Sequence, residues 1–340
     1  MGREQRFYSI IIPLYNRPQE ITDLLDSLTR QLYPHFEVIV VDDGSVPQAY
    51  GVINTFAGKL DLQYIYQENR GQGFARNHGF QKAKGDYFVV FDSDCLIPND
   101  YLLKVESALE NQWLDAYGGP DMAHSSFTNL QKAISYAMTS PLSTGGIRGN
   151  KKHLGTFHPR SFNMGISRET WERTGGFHWT NQSEDMEFSI RMQQMGLRVG
   201  LIADAGVYHK RRVSLRQFFN QTFSFGQGRV RLFRHFGSEL KPVHCLPSIF
   251  TIGLAGLMAL FVTFLFVPEF EPIFPMISSV LGVGTIVYST YFILLFLHAL
   301  VKNSNLHVAA LSVLTVVVQF IAYGSGFLKN LIYNSSSSSS

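Results

Sequence analysis

Only two cysteines, Cys95 and Cys245, occur in 340 residues, which excludes a disulfide framework. They also stand too far apart in sequence to read as a metal cluster, so the soluble part is expected in a reducing compartment. Charge is scarce as well. Charged residues make up 16% of the chain and the net charge is +3, which gives no basis for nucleic acid as a partner, because phosphate-backbone binding needs a strong basic excess. No basic-then-apolar leader is read at the start, where Arg3, Glu4 and Arg6 lead into a strand-like run. Gly2 lacks the downstream Ser or Thr of a myristoylation signal. The serines from Ser335 to Ser340 form a low-complexity tail, and residues 331–340 are left out of the expected fold.

What the chain does have is alternation. Ser9 to Ile12 is β-branched and apolar, Pro13 to Pro18 breaks it, and Asn16 is the expected N-cap with Pro18 in the first turn of a helix. Ile21, Leu24, Leu25, Leu28 and Leu32 recur at helical spacing, and Phe36 to Val41 reads as a second buried strand ending in Asp42-Asp43-Gly44-Ser45. A helix over 48–56, a strand over 62–66, a loop at Asn69-Arg70-Gly71 and a helix over 74–82 repeat the pattern. This order predicts an α/β sheet built from right-handed crossovers, with ligands at the carboxyl ends of its strands.

The strand from Tyr87 to Phe91 is the most apolar of these, and it ends in Asp92-Ser93-Asp94. Two carboxylates at a strand end are costly unless a cation sits between them, and a hard divalent ion on a phosphate is the usual answer. An Asp-rich turn is the plainer reading of such a motif alone. Convergence of Asp42, Asp43, Asp92 and Asp94 on one crevice argues for the ion.

Taken in order, Ser9 to Asn16, Val41 to Ser45, Asn69-Arg70-Gly71 with Ala75-Arg76-Asn77, and Asp92-Ser93-Asp94 resemble the successive signatures of the family 2 glycosyltransferases, which have a GT-A, Rossmann-like fold. The resemblance covers roughly residues 7–235. It implies a nucleotide-sugar donor, UDP- or GDP-linked, with Tyr15 and Asp43 or Asp42 around base and ribose, and with Pro13, Asp92 and Ser93 also among the donor-binding residues. It also implies Mn2+ or Mg2+ on Asp94, with Asp92 nearby. Arg76 has two readings: a second positive group on the diphosphate, or an ion pair organising Asp92 from behind.

Downstream, a strand over 162–167, a helix over 168–174 and Gly175-Gly176-Phe177 precede Glu184-Asp185 at a helix start. An acceptor hydroxyl needs a base, and a carboxylate within reach supplies one. The similarity to the family's acceptor-side motif assigns that role to Asp185 with Glu184 as understudy, in a single inverting displacement. His209 closes another strand; some relatives place a metal-binding His there, and a neutral imidazole suits Mn2+ better than Mg2+. The Gly-rich basic stretch from Pro141 to Lys152 reads either as a mobile lid or as disorder.

From Val213 to Phe236, Phe and Arg interleave as in helices lying in a headgroup plane. Apolar runs over 246–267, 273–300 and 306–328 are each long enough to cross a bilayer. The expected organisation is a cytoplasmic GT-A domain over 1–210, amphipathic interfacial helices over 211–243 and a transmembrane domain over 244–330. Acidic Glu269 and Glu271 in the first loop against Arg211, Arg212, Arg234, Lys241 and Lys302 place the enzyme domain on the cytoplasmic side of an inner or plasma membrane.

The reaction read from all this is transfer of a single sugar to a lipid or lipid-linked glycan acceptor at the cytoplasmic leaflet, with a homo-oligomer as an open possibility. A polyprenyl-phosphate acceptor is one variant. The Gln-x-x-Arg-Trp motif of processive synthases is missing, since Gln217 is followed by Phe218, Phe219, Asn220 and Gln221. A metal-dependent nucleotidyltransferase and a non-catalytic membrane scaffold are the rivals from other classes.

Overall fold

The computed structural model describes residues 5–122, 124, 126–144, 157–266 and 271–333. Most of the loop singled out above, and the serine tail, lie outside them. The chain divides into two compact units, residues 1–125 with 147–210, and residues 126–146 with 211–340.

The first unit opens as β1 (Tyr8–Leu14), α1 (Pro18–Leu28), β2 (Phe36–Asp43), α2 (Tyr50–Asn54), β3 (Leu62–Gln67), α3 (Gln72–Lys82) and β4 (Tyr87–Phe91). It continues through β5 (Cys95–Leu96), α4 (Tyr101–Asn111), β6 (Ala116–Gly118) and β7 (Asp121–Met122). In the second unit lie α5 (Asn129–Thr139) and the short α6 (Pro141–Thr144). The chain then returns to the first unit with β8 (Asn163–Ser167), α7 (Arg168–Thr174), α8 (Glu184–Gln194), β9 (Val199–Leu201) and β10 (Val207–His209).

Seven strands form one mixed sheet in the order β3-β2-β1-β4-β8-β6-β9. The first four are parallel, and β8 runs antiparallel to both β4 and β6. Successive side chains of a strand point to opposite faces, so an all-apolar strand feeds two cores. Ile10, Ile12, Val38, Val40, Val89 and Phe91 enter one, while Ile11, Ile39, Val41, Phe88 and Val90 enter the other. Each such side chain contributes roughly 1.5–3 kcal/mol by leaving water. A second, three-stranded sheet in the order β5-β10-β7 stands apart from the first.

Two expectations are corrected in detail. Helix α1 ends at Leu28, and Leu32 is exposed. Asn16 does not cap it; with φ +53 it turns away, donating its backbone N–H to Ser45 Oγ (2.8 Å) and accepting from Val46 N (2.8 Å). Pro18 does occupy the first turn.

The second unit holds α9 (Leu215–His235), α10 (Leu246–Phe264), α11 (Phe274–Asn303) and α12 (Leu306–Tyr333). The last three are long and apolar enough to cross a membrane. Segment 126–146, expected within the catalytic domain, clusters with these helices because α5 is buried on all sides from Ala133 to Met138: Ile134, Tyr136, Ala137 and Met138 share a core with Leu295, Ala299, Ala309 and Val316. Thr128 and Gln131 close a capping box at its start. Thr315 Oγ1 donates to Ala133 O (3.0 Å), and Tyr136 Oη lies 2.7 Å from His298 Nδ1.

The Phe- and Arg-bearing helix α9 lies along α12, with Phe218, Thr222, Val230 and Leu232 buried. The approach is close enough that a Cβ on Gly226 would sit 2.1 Å from Tyr323 O, and one on Gly326 would sit 2.1 Å from Phe223 O. Leucine at either position is therefore expected to destabilise the helix bundle by about 1–3 kcal/mol or more, since backbone cannot yield as a side chain does. Leucine at Gly256, which has open space around it, is the control. Thermal unfolding in detergent checks this, and equal midpoints for all three variants would contradict the packing described.

Candidate active site

Because β1, β2, β3 and β4 are parallel, their carboxyl ends share one edge of the sheet, and the turns that leave them carry the acids. At the end of β2, Asp42 is completely buried. It accepts from Ser45 N (2.9 Å), Ala49 N (3.1 Å) and Tyr64 Oη (2.7 Å). It therefore builds the turn, and its sealed position does not support the contact with a nucleotide expected of it. Asp43 beside it accepts from Gln67 Nε2 (2.7 Å), Arg70 N (2.9 Å) and Gly71 N (2.8 Å). A carboxylate offers about four acceptor positions. Asp43 keeps one, and it also fixes the Asn69-Arg70-Gly71 loop. Tyr15 is half exposed on the turn after β1, and Pro13, in β1 itself, is buried.

At the end of β4 the two aspartates part company. Asp92 is bound by Arg76 Nη2 (2.8 Å), and Arg76 Nη1 reaches Glu184 Oε1 (3.2 Å). The Arg76 side chain is fully buried, with its guanidinium 5.3 Å over the Phe177 ring. Of the two roles open to Arg76, this placement is that of the organiser: it ties β4 to α8 from behind and is not presented to a diphosphate. Ser93 is buried between the two acids in sequence.

Asp94 faces elsewhere. Its Oδ1 lies 3.0 Å from His209 Nε2 and its Oδ2 is 2.7 Å from Arg17 Nη1. Arg17 also contacts Glu20 at 3.0 Å. The small sheet makes this meeting possible, since His209 is paired in register with Cys95, the residue after Asp94, and Lys210 N donates to Asp94 O (3.0 Å). Phe162 stacks on the imidazole at 4.8 Å with an interplanar angle of 19°. Burial by itself lowers the His209 pKa; the charge of Asp94 and the nearby Asp121 outweigh it and raise the value to about 10.

Asp94, His209 and Cys95 bring one potential ligand atom each within 4.8 Å of one another. The expected partner Asp92 is not in that group, its carboxylate being held by Arg76. Two ligands at right angles on an ion about 2.1 Å away lie about 3.0 Å apart, so the Asp94–His209 spacing fits a small divalent ion, and an oxygen with an imidazole nitrogen suits Mn2+. Cys95 fits less well: burial, then the charges of Asp94, Asp92 and Asp121, push its thiol well up, and Sγ donates to Phe162 O at 3.5 Å. A protonated thiol is a poor ligand for a hard cation.

The Glu184-Asp185 pair also separates into two roles. Glu184 is buried and also receives Gln72 Nε2; burial and the charge of Asp185 raise its pKa against the pull of Arg76. It acts as a tie between α3 and α8. Asp185 is more open, with a side-chain exposure of 17%; Oδ1 accepts from Met186 N (2.8 Å), and Oδ2 stands 3.4 Å from Arg160 Nη1. Of the two it is the one able to meet a substrate.

Sequence reading passed over Arg17, Asp121 and Arg160. Arg17 directly follows the Tyr15-Asn16 turn, a position that could have marked it, whereas Asp121 and Arg160 carry no such local signal.

Residues 9–174 match the family model described as "Glycosyl transferase family 2". Glycosyltransferase AglE of Haloferax volcanii is 28% identical over 209 residues, 54% of this chain and 63% of that protein. Succinoglycan biosynthesis protein ExoA of Rhizobium meliloti is 26% identical over 236 residues, 66% of this chain and 69% of that protein. An uncharacterized glycosyltransferase of Rickettsia bellii is 30% identical over 143 residues, and the chain spans only 19% of its length. Among solved structures, the mannosyltransferase PcManGT from Pyrobaculum calidifontis, in complex with GDP-Man and Mn2+, superposes with a TM-score of 0.61 at 19% identity, over 97% of this chain and 88% of that one. The sheet order, the strand-end acids and these matches together show that this chain carries a family 2 glycosyltransferase domain of GT-A type, followed by three long apolar helices.

Proposed function

We propose that this glycosyltransferase is a membrane-embedded, metal-dependent, inverting enzyme that moves one sugar from a nucleotide donor to a lipid or lipid-linked glycan acceptor at the cytoplasmic leaflet. The observation that carries the reading is the pairing of buried Asp94 with partly buried His209 at 3.0 Å, beyond the carboxyl end of β4. A bound Mn2+ or Mg2+ supplies positive charge against the donor diphosphate, where negative charge builds as the nucleotide leaves. The Pyrobaculum protein binds a nucleotide sugar together with Mn2+, the same pairing proposed for this chain.

Asp43, through its remaining acceptor position, and Tyr15 receive the base and ribose. Arg17 supplies a guanidinium beside Asp94, able to balance that carboxylate or to meet a phosphate oxygen. Asp185 takes the proton of the acceptor hydroxyl. The freed oxygen attacks the anomeric carbon, the bond from that carbon to the diphosphate breaks, and the nucleotide diphosphate departs with the electron pair. One displacement inverts the centre.

Lipid as acceptor is argued from the three long apolar helices and from the Phe and Arg residues of α9, of which Arg216 and Phe219 are exposed and suit a headgroup layer. The absence of an Arg-Trp after Gln217 supports single-sugar transfer.

Replacing Asp185 by Asn is expected to lower kcat by about 100- to 10,000-fold, the range of a lost general base, while donor affinity in calorimetry stays near wild type. Undiminished turnover in that variant removes Asp185 from the mechanism. For the topology, the excess of Lys and Arg flanking the first span predicts a cytoplasmic catalytic domain and an external C-terminus. An epitope fused after Ser340 should be digested by protease added to intact cells. Full protection of the epitope until the cells are opened is the contrary result.

A further inference from the structure

One buried acid near the site has no role in the scheme above. Asp121 has a side-chain exposure of 3% and begins β7, the strand that completes the small sheet. Backbone pairing puts it there: β7 runs parallel to β10 with Asp121 opposite Val207 and Met122 opposite Tyr208, and Val207 N donates to Pro120 O (3.1 Å). Upstream, a Cβ on Gly119 would sit 1.9 Å from Ala205 O, so this approach is fixed by main chain on both strands. The result is that Asp121 Oδ2 stands 3.9 Å from His209 Nδ1, an ion-pair distance, on the opposite side of the ring from Asp94.

The ring is thus held at three points. Phe162 sets its plane, Asp94 lies at Nε2 and Asp121 lies toward Nδ1. A neutral imidazole carries one proton, and the nitrogen that lacks it is the one able to bind a cation. A cation bound beside Asp94 would take the place of the Nε2 proton, and the carboxylate toward Nδ1 favours keeping the remaining proton on that nitrogen. Such an outer carboxylate orients a histidine ligand and raises its basicity, and losing it typically costs about 10- to 100-fold in metal affinity.

We propose that Asp121 is a positioning residue of the cation site, holding His209 in the orientation and tautomer in which Nε2 joins Asp94 as a ligand. The inference rests on the reading of Asp94 and His209 as cation ligands, and it adds a residue outside the strand-end motifs.

The test uses the full-length protein in detergent and Mn2+ alone. Titration followed by the electron paramagnetic resonance signal of free Mn2+ gives a Kd that requires no turnover. Asp121→Asn should weaken that Kd by about 10- to 100-fold. His209→Gln should also weaken it, and the double variant should bind no worse than His209→Gln alone, because Asp121 acts through the ring. Asp121→Glu, which keeps the charge, should recover most of the affinity and serves as the reading should Asp121→Asn fail to fold. Wild-type affinity in Asp121→Asn, a further loss in the double variant, or no recovery by Glu would each overturn the proposal while leaving the cation site in place. A wild-type protein that binds no Mn2+ overturns the cation site and this inference together.

Discussion

The guanidinium of Arg76 is the constraint on which the rest of the site depends. It is wholly out of water, on the ring of Phe177, with Asp92 at 2.8 Å on one side and Glu184 at 3.2 Å on the other. A charge in that position is tolerable only with partners in place, and removing one partner of a buried pair typically costs about 3–5 kcal/mol. Because Asp92 ends β4 and Glu184 begins α8, the same group fixes the spacing between the strand that delivers Asp94 and the helix that delivers Asp185. The acids proposed for the chemistry, Asp94 and Asp185, stand two residues and one residue along from Asp92 and Glu184, the acids that Arg76 holds. Close neighbours on a turn or a helix start can point apart, so one acid of each set ties the fold while the other is left for a different partner.

A second constraint comes from the three short strands β5, β10 and β7. None exceeds three residues, yet their pairing draws Cys95, His209 and Asp121 together from three distant parts of the chain. The large sheet sets the edge that carries the acids, and the small sheet decides which side chains stand beside Asp94. Arg17 joins from the turn after β1, so four separate segments supply the cluster around Asp94.

Much of this was legible in the residues. The apolar runs of β1, β2 and β4 announce buried parallel strands, and the acids that end them announce a polar edge. The three apolar helices follow from length and composition alone. What periodicity does not carry is which of two adjacent acids turns inward. Asp42 and Asp43 are alike in sequence, and only the hydrogen bonds from Ser45, Ala49 and Tyr64 reveal that Asp42 is sealed into its turn. Asn16 has the composition of an N-cap, but its left-handed backbone directs it to the Ser45-Val46 turn, a tertiary choice. Asp121 escaped notice because two-residue strands leave no pattern. Likewise α5 reads as one more helix of an α/β domain, until its apolar residues are seen in one core with α11 and α12.

That last helix bears on how the chain is made. Ala133 of α5 accepts its hydrogen bond from Thr315, 182 positions later, so α5 leaves the ribosome long before its partners exist. Its Ile134, Ala137 and Met138 have no place to be buried until α11 and α12 are synthesised. The first unit is interrupted by this waiting helix, and shortening the chain after β10 would yield a protein with an apolar helix permanently uncovered. The C-terminal helices are thus a folding template for the middle of the chain as well as an apolar anchor. Cleavage between β10 and α9 would leave Ile134, Ala137 and Met138 without the residues that bury them.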